Sequence, residues 1–151
     1  TFVGQICILD GDHNNDMNNR VITLPGKDSP EKFLINYAQT LYDRDDRFWL
    51  SDVVLEENVG KDFYTHTFIP AVEKINEKIE SLKSQGKSTS GVMREETKKL
   101  FRQHQKFFHI IFDAWLVDNN NVSEINQFYN NLKAMYKKVA PIAGLDPDIW
   151  S

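Results

Sequence analysis

The stretch that decides the fold is VGQICILDGD, residues 3–12, in which an apolar segment ends abruptly at two aspartates. The β-branched and apolar residues of Val3–Leu9 predict a short buried strand. Residues 10–20 are rich in Asp and Asn and include Gly11, all of which favour turns, so we expect a loop there. Asp10 and Asp12 would therefore follow directly on the carboxyl end of a strand.

The remainder of the sequence is patterned mostly as helix. Residues 21–24 predict a second short strand that ends at Pro25-Gly26. Ser29 and Pro30 then suit the N-cap and the first position of a helix. Apolar residues at helical spacing predict four helices, over about 30–42, 70–83, 92–117 and 122–139. We expect an α/β fragment that is mostly helical, with one or two N-terminal strands followed by about four helices.

The composition excludes several classes of protein. A formal charge of −4 argues against coating nucleic acid by bulk charge, although a local basic face remains open. Cys7 is the only cysteine, which rules out an intrachain disulfide and a cysteine zinc cluster and fits a reducing compartment. The sequence has neither a signal peptide nor an apolar stretch approaching the roughly 18–20 residues of a membrane span. We expect a cytoplasmic protein with no membrane contact.

The acidic turn predicts a metal site at Asp10 and Asp12. A strand that ends in Asp-x-Asp projects two carboxylates from the carboxyl edge of a sheet, where α/β proteins bind their ligands. Paired hard oxygen ligands suit Mg²⁺ or Mn²⁺ better than zinc. A phosphate bound to such a metal is a natural substrate.

The order of these motifs resembles the later half of the Toprim domain in OLD-family nucleases. The resemblance lies in a strand with ILDGD (8–12), an Asn-rich loop, and ITLPGKDSPEKFL (22–34). In addition, RQHQKFFHIIFDAW (102–115) resembles the C-terminal helix of such domains, where a basic residue joins the active site. In that family an ABC-type ATPase is fused to a C-terminal Toprim nuclease, and its strand-borne DxD corresponds to Asp10 and Asp12.

The resemblance implies part of a Mg²⁺- or Mn²⁺-dependent DNA endonuclease, with relatives that act in phage defence. Asp10, Asp12 and Lys106 would be catalytic, and ATP would act only through a domain outside this sequence. The family's earlier strand, with its metal-binding Glu, is also missing, so we expect an excised piece that is inactive alone. It would comprise a partial Toprim-like segment at 1–60 with the DxD turn and a helical region at 61–151. Its expected partners are DNA, the ATPase domain or remainder of the full-length protein, and a second copy.

A row of basic residues marks the third predicted helix. Arg94, Lys98, Arg102 and Lys106 recur every four residues, so they would line one helix face. They are candidate DNA-phosphate contacts. An ordinary solvated face, partly neutralised by neighbouring glutamates, would give the same spacing. His104, on the apolar side of this helix, favours a core histidine over a ligand.

Other interpretations of the acidic turn stay open. The aspartates could simply cap backbone N–H groups, and the chain would then be a helical protein interaction module. A haloacid dehalogenase-like phosphatase also places DxD after a strand, but that family usually continues Asp-Gly-Thr, whereas His13 and Asn14 follow here. A calcium loop would need Gly at Asn15 and Glu at Val21.

Overall fold

The computed structural model describes residues 4–150, which are mostly helical with two short parallel strands near the N terminus. The predicted α/β class is therefore confirmed, with more helices than expected. Val3, the predicted start of the first strand, lies outside the described residues. The strands are β1 (Cys7–Leu9) and β2 (Val21–Thr23). The α-helices are α1 (Pro30–Asp43), α2 (Asp52–Glu56), α3 (Lys61–Phe63), α4 (Ile69–Ser84), α5 (Ser90–Gln103), α6 (Gln105–Val117) and α7 (Val122–Val139).

The chain divides into two compact units. The first comprises Thr1–Phe33 and Leu116–Ser151, and the second comprises Leu34–Trp115. The first unit contains both strands and α7, and the second contains α2 to α5. The domain boundary near residue 60 that the sequence suggests stays a prediction.

The first unit is built on the pairing of β1 with β2. Cys7, Ile8 and Leu9 lie opposite Val21, Ile22 and Thr23 in parallel register. Ile22 of β2 is completely buried, and Met135 and Val139 of α7 are buried as well. The prediction of a buried first strand is wrong. Within the described part of the chain β1 pairs only with β2, and the side chain of Ile8 stays 47% exposed.

The second unit has an aromatic core. One face of α1 is buried through Leu34, Ala38 and Leu41. A 3₁₀-helix (Arg47–Leu50) and a π-helix (Tyr64–Phe68) bring further rings against the rings of α6. The buried rings of this core include Trp49, Tyr64, Phe68 and Phe107. The ring centroids of Phe68 and Phe107 lie 4.7 Å apart. The indole Nε1 of Trp49 donates to the Leu41 carbonyl at 3.1 Å, so its buried polar atom is satisfied.

The predicted third helix is two helices. The sequence predicts one helix over 92–117, but α5 ends at Gln103 and α6 begins at Gln105. His104 between them has φ −129° and ψ 39°, outside the helical region. Its ring packs edge-on against Phe63 at 5.5 Å and Phe68 at 6.1 Å. The helix is therefore interrupted at a residue that packs against rings from elsewhere in the chain, and the apolar periodicity of residues 92–117 does not show this interruption.

Candidate functional site

The acidic turn lies where the two parallel strands end. Because β1 and β2 run in the same direction, Asp10 and Leu24 leave the sheet at one edge. The Leu24 N–H donates to the Leu9 carbonyl at 2.8 Å, which extends the pairing to this edge. The His13 N–H donates to the Asp10 carbonyl at 3.1 Å and closes the turn. Asp10 and Asp12 are thus brought together in one turn at the carboxyl edge.

Gly11 allows this turn to pack against the chain that follows β2. A Cβ atom at Gly11 would lie 2.9 Å from three backbone atoms: Leu24 O, Lys27 N and Asp28 O. Such contacts are too short for any side chain. The glycine between the two aspartates therefore fixes how closely the acidic turn approaches the 24–28 turn.

Two side chains of the Asn-rich loop, Asn15 and Asp16, form hydrogen bonds that hold the loop in place. The Asn15 Oδ1 accepts from the Thr23 N–H at 2.8 Å. The Asp16 carboxylate accepts from the Asn19 side chain at 2.6 Å, and this hydrogen bond, with that from the Asn19 backbone, lowers the pKa of Asp16. Asn15 and Asp16 therefore do the backbone capping that one interpretation assigned to the acidic turn.

The carboxylates of Asp10 and Asp12 accept no hydrogen bond from the described residues. Asp12 Oδ1 lies 3.6 Å from His13 Nε2, and both side chains are more than half exposed. The described residues contain no group of three His, Cys, Asp or Glu side chains that could hold a metal ion. Two carboxylates nevertheless suit Mg²⁺, which commonly binds through one or two carboxylates and takes water and substrate phosphate as its other ligands.

A polar pocket of about 410 Å³ opens beside Asp12. Its walls are the acidic turn with the start of the Asn-rich loop (residues 11–15), the end of β2 with the turn after it (23–25 and Lys27), and residues of α7 between 124 and 131. The Glu124 Oε1 accepts from the Gly26 N–H at 2.5 Å and so ties α7 to the Leu-Pro-Gly turn. The α7 side chains on this wall are Glu124, Gln127, Phe128 and Asn131. Sequence reasoning missed them as site residues; the acidic residue in the first turn of α7 was the one available signal.

Lys106, the predicted catalytic cation, lies on α6 in the second unit. Its Nζ is 2.5 Å from Glu57 Oε2, and the lysine side chain is 65% exposed. Exposed pairs of this kind contribute about 0–1 kcal/mol, so Lys106 can exchange Glu57 for another anion at little cost. Its role beside Asp10 and Asp12 stays a prediction.

The other three residues of the basic row lie on α5. Arg94 and Arg102 are exposed, and Lys98 is half-buried. Within residues 4–150 these three cations make no ion pair or hydrogen bond through their side chains. Since α5 ends at Gln103, the regular spacing holds for Arg94, Lys98 and Arg102, whereas Lys106 belongs to the next helix.

Comparison of the chain with protein-family models, with curated proteins and with solved structures finds no match. Within the described residues, no helix combines the length and the apolar character needed to cross a bilayer.

Proposed function

We propose that this chain is the C-terminal part of a Toprim domain in an OLD-family-like, ATP-linked DNA endonuclease that uses Mg²⁺ or Mn²⁺. The observation that carries the proposal is the position of Asp10 and Asp12. They follow β1 at the edge where two parallel strands end. Their carboxylates accept no hydrogen bond from a described residue, and the imidazole of the exposed His13 lies 3.6 Å from Asp12 Oδ1. This edge is the usual ligand side of an α/β sheet.

Each proposed site residue has a definite role. Asp10 and Asp12 would hold the divalent metal, which supplies Lewis acidity toward a phosphate and lowers the pKa of bound water. Gly11 sets the approach of this turn to the 24–28 turn, so it positions both carboxylates. Lys106 would leave Glu57 and steady the negative charge of the phosphate.

DNA is the proposed macromolecular partner, and the support comes from α5. Arg94, Lys98 and Arg102 are spaced by about 6 Å of helix rise and have no described anionic partner. Cations free of such partners can release counterions from DNA when they meet phosphates. ATP would act through the ATPase domain of the longer protein, and cleavage would need that protein.

Calorimetric titration of this chain with MnCl₂ tests the metal role. We expect weak binding, with a dissociation constant of about 1 mM. Asp10→Asn and Asp12→Asn should each weaken it by at least roughly tenfold, as loss of a ligand or its supporting group does. Asp16→Asn is the matched control, because its carboxylate is already taken by Asn19, and it should leave the affinity unchanged. Equal affinity in all four proteins would refute the metal site.

A helical interaction module is the second candidate function. The second unit exposes three apolar side chains around α2: Leu50 (76%), Val53 (47%) and Leu55 (57%). An apolar patch of this kind often marks a protein-binding surface. If the Asp10 and Asp12 variants bind Mn²⁺ like wild type while Leu50→Ser and Leu55→Ser abolish association with the remainder of the full-length protein, the module is the better description.

A further inference from the structure

The pocket beside the acidic turn presents polar side chains that the metal site does not use. Gln127 and Asn131 stand four residues apart on α7 and both line the pocket. Neither carboxamide makes a hydrogen bond to a described residue. Each offers an acceptor oxygen and a donor NH₂ group, so together they form a surface that can both donate and accept.

An aromatic ring and a cation complete the same pocket. The half-buried Phe128 lies between the two carboxamides in sequence and also lines the cavity. Lys27, on the opposite turn, is exposed and has no ion pair within residues 4–150. A volume of about 410 Å³ falls in the range of small-molecule sites, about 300–1,000 Å³.

We propose that this pocket binds one unpaired nucleobase of the DNA strand, with a preference for adenine. This inference rests on the proposed function, because it places a base next to the metal-binding carboxylates. Asn and Gln side chains pair in bidentate fashion with the N6 and N7 atoms of adenine. Unpaired bases stack on aromatic rings. Lys27 would contact the phosphate attached to that base.

The charges favour a base over a free anion. Asp12 and Glu124 bring two carboxylates to the pocket, and Lys27 brings one ammonium group. When no metal is bound, a small anion would therefore meet repulsion from Asp12 on the side of the acidic turn. A neutral base avoids that repulsion. It can also bond both the NH₂ donors and the oxygen acceptors of the carboxamides, whereas an anion can only accept from the NH₂ groups.

Fluorescence anisotropy with labelled five-nucleotide oligo-dA and oligo-dC tests the proposal on this chain, with and without Mn²⁺. We expect oligo-dA to bind at least about fivefold more tightly than oligo-dC, the lower end of discrimination by a bidentate contact. Gln127→Ala and Asn131→Ala should remove that preference. Phe128→Leu should weaken both oligonucleotides by about fivefold or more through lost stacking.

Matched controls lie on the same helix. Asn126 and Asn130 are exposed carboxamides of α7 that do not line the pocket. The variants Asn126→Ala and Asn130→Ala should therefore bind both oligonucleotides like wild type. Circular dichroism of every variant checks that the helix is intact. Equal binding of oligo-dA and oligo-dC by the wild type would overturn the proposal. So would a preference that the Gln127 and Asn131 variants retain.

Failure of this proposal can be told apart from failure of the metal role. If Mn²⁺ binding depends on Asp10 and Asp12 but no oligonucleotide preference exists, the base pocket is refuted and the metal site stands. If the preference for oligo-dA depends on Gln127 and Asn131 but the Asp10 and Asp12 variants bind Mn²⁺ like wild type, the base pocket stands and the nuclease proposal falls.

Discussion

Replacing Gly11 by alanine should lower the free energy of unfolding, because the added methyl group has no room at the acidic turn. The added Cβ would lie 2.9 Å from Leu24 O, Lys27 N and Asp28 O, whereas ordinary contacts begin near 3.4 Å. Each backbone atom must therefore retreat by about 0.5 Å, and none can rotate away as a side chain would. Overpacking of this kind costs about 1–3 kcal/mol. A value near 2 kcal/mol would lower the melting temperature by about 4–8 °C.

Urea unfolding followed by far-ultraviolet circular dichroism measures this loss. Gly91→Ala is the control, because Gly91 lies in α5 with open space around its Cβ position. Because Gly91 is the second residue of α5, the gain in helix propensity should stabilise the protein by less than the roughly 1 kcal/mol of a helix interior. Gly11→Ala should also weaken Mn²⁺ binding, since the displaced turn carries both aspartates. A Gly11→Ala protein as stable as wild type, with unchanged Mn²⁺ affinity, would refute the steric role of this glycine.

Three further predictions concern other contacts. Glu124→Ala removes the acceptor of the Gly26 N–H and should cost about 1–3 kcal/mol in urea unfolding, whereas Glu124→Gln, which keeps an acceptor oxygen, should cost less. Burial lowers the pKa of His104 below 6.5, so the unfolded chain takes up its proton first as the pH falls. The free energy of unfolding should therefore decline below pH 6.5, and His104 should contribute at most about 1.4 kcal/mol per pH unit to this decline. The decline should be less steep in His104→Phe, and equal slopes in wild type and variant would contradict the prediction. Arg94→Ala in the full-length protein should reduce the salt slope of DNA binding by roughly one unit, and Lys74→Ala, on α4, should leave it unchanged.

The long amphipathic helices could be predicted from the sequence because their signals are local. α1 begins at Pro30 as expected, α4 covers the predicted 70–83, and α7 ends before Pro141. Each has an apolar stripe at helical spacing and a polar loop or proline at an end. Local pattern therefore suffices where one helix face is buried over several turns.

The segment between α1 and α4 could not be predicted in the same way. It contains a 3₁₀-helix, two short α-helices and a π-helix within residues 47–68. Elements of three to five residues are too short to show a hydrophobic period. They are held by contacts between rings distant in sequence, such as Trp49 with Phe107 at 6.5 Å. The same aromatic packing surrounds His104, where the third predicted helix breaks.

The site was predictable only on its strand side. The position of Asp10 and Asp12 follows from a strand that ends in turn-forming residues. The other wall comes from α7, about 100 residues later, and no local signal links Glu124 to Gly26. A contact of that separation is decided by tertiary packing of α7 on β2.

The exposed thiol of Cys7 makes the acidic turn observable by magnetic resonance without removing any other cysteine. A trifluoromethyl tag on this sulfur would stand three strand residues before Asp10, about 10 Å along the chain. Paramagnetic Mn²⁺ bound at that turn would broaden the ¹⁹F resonance strongly, whereas diamagnetic Mg²⁺ would leave it narrow. Competition between the two ions, followed in one spectrum, would then report occupancy of this turn separately from any adventitious binding elsewhere on the surface.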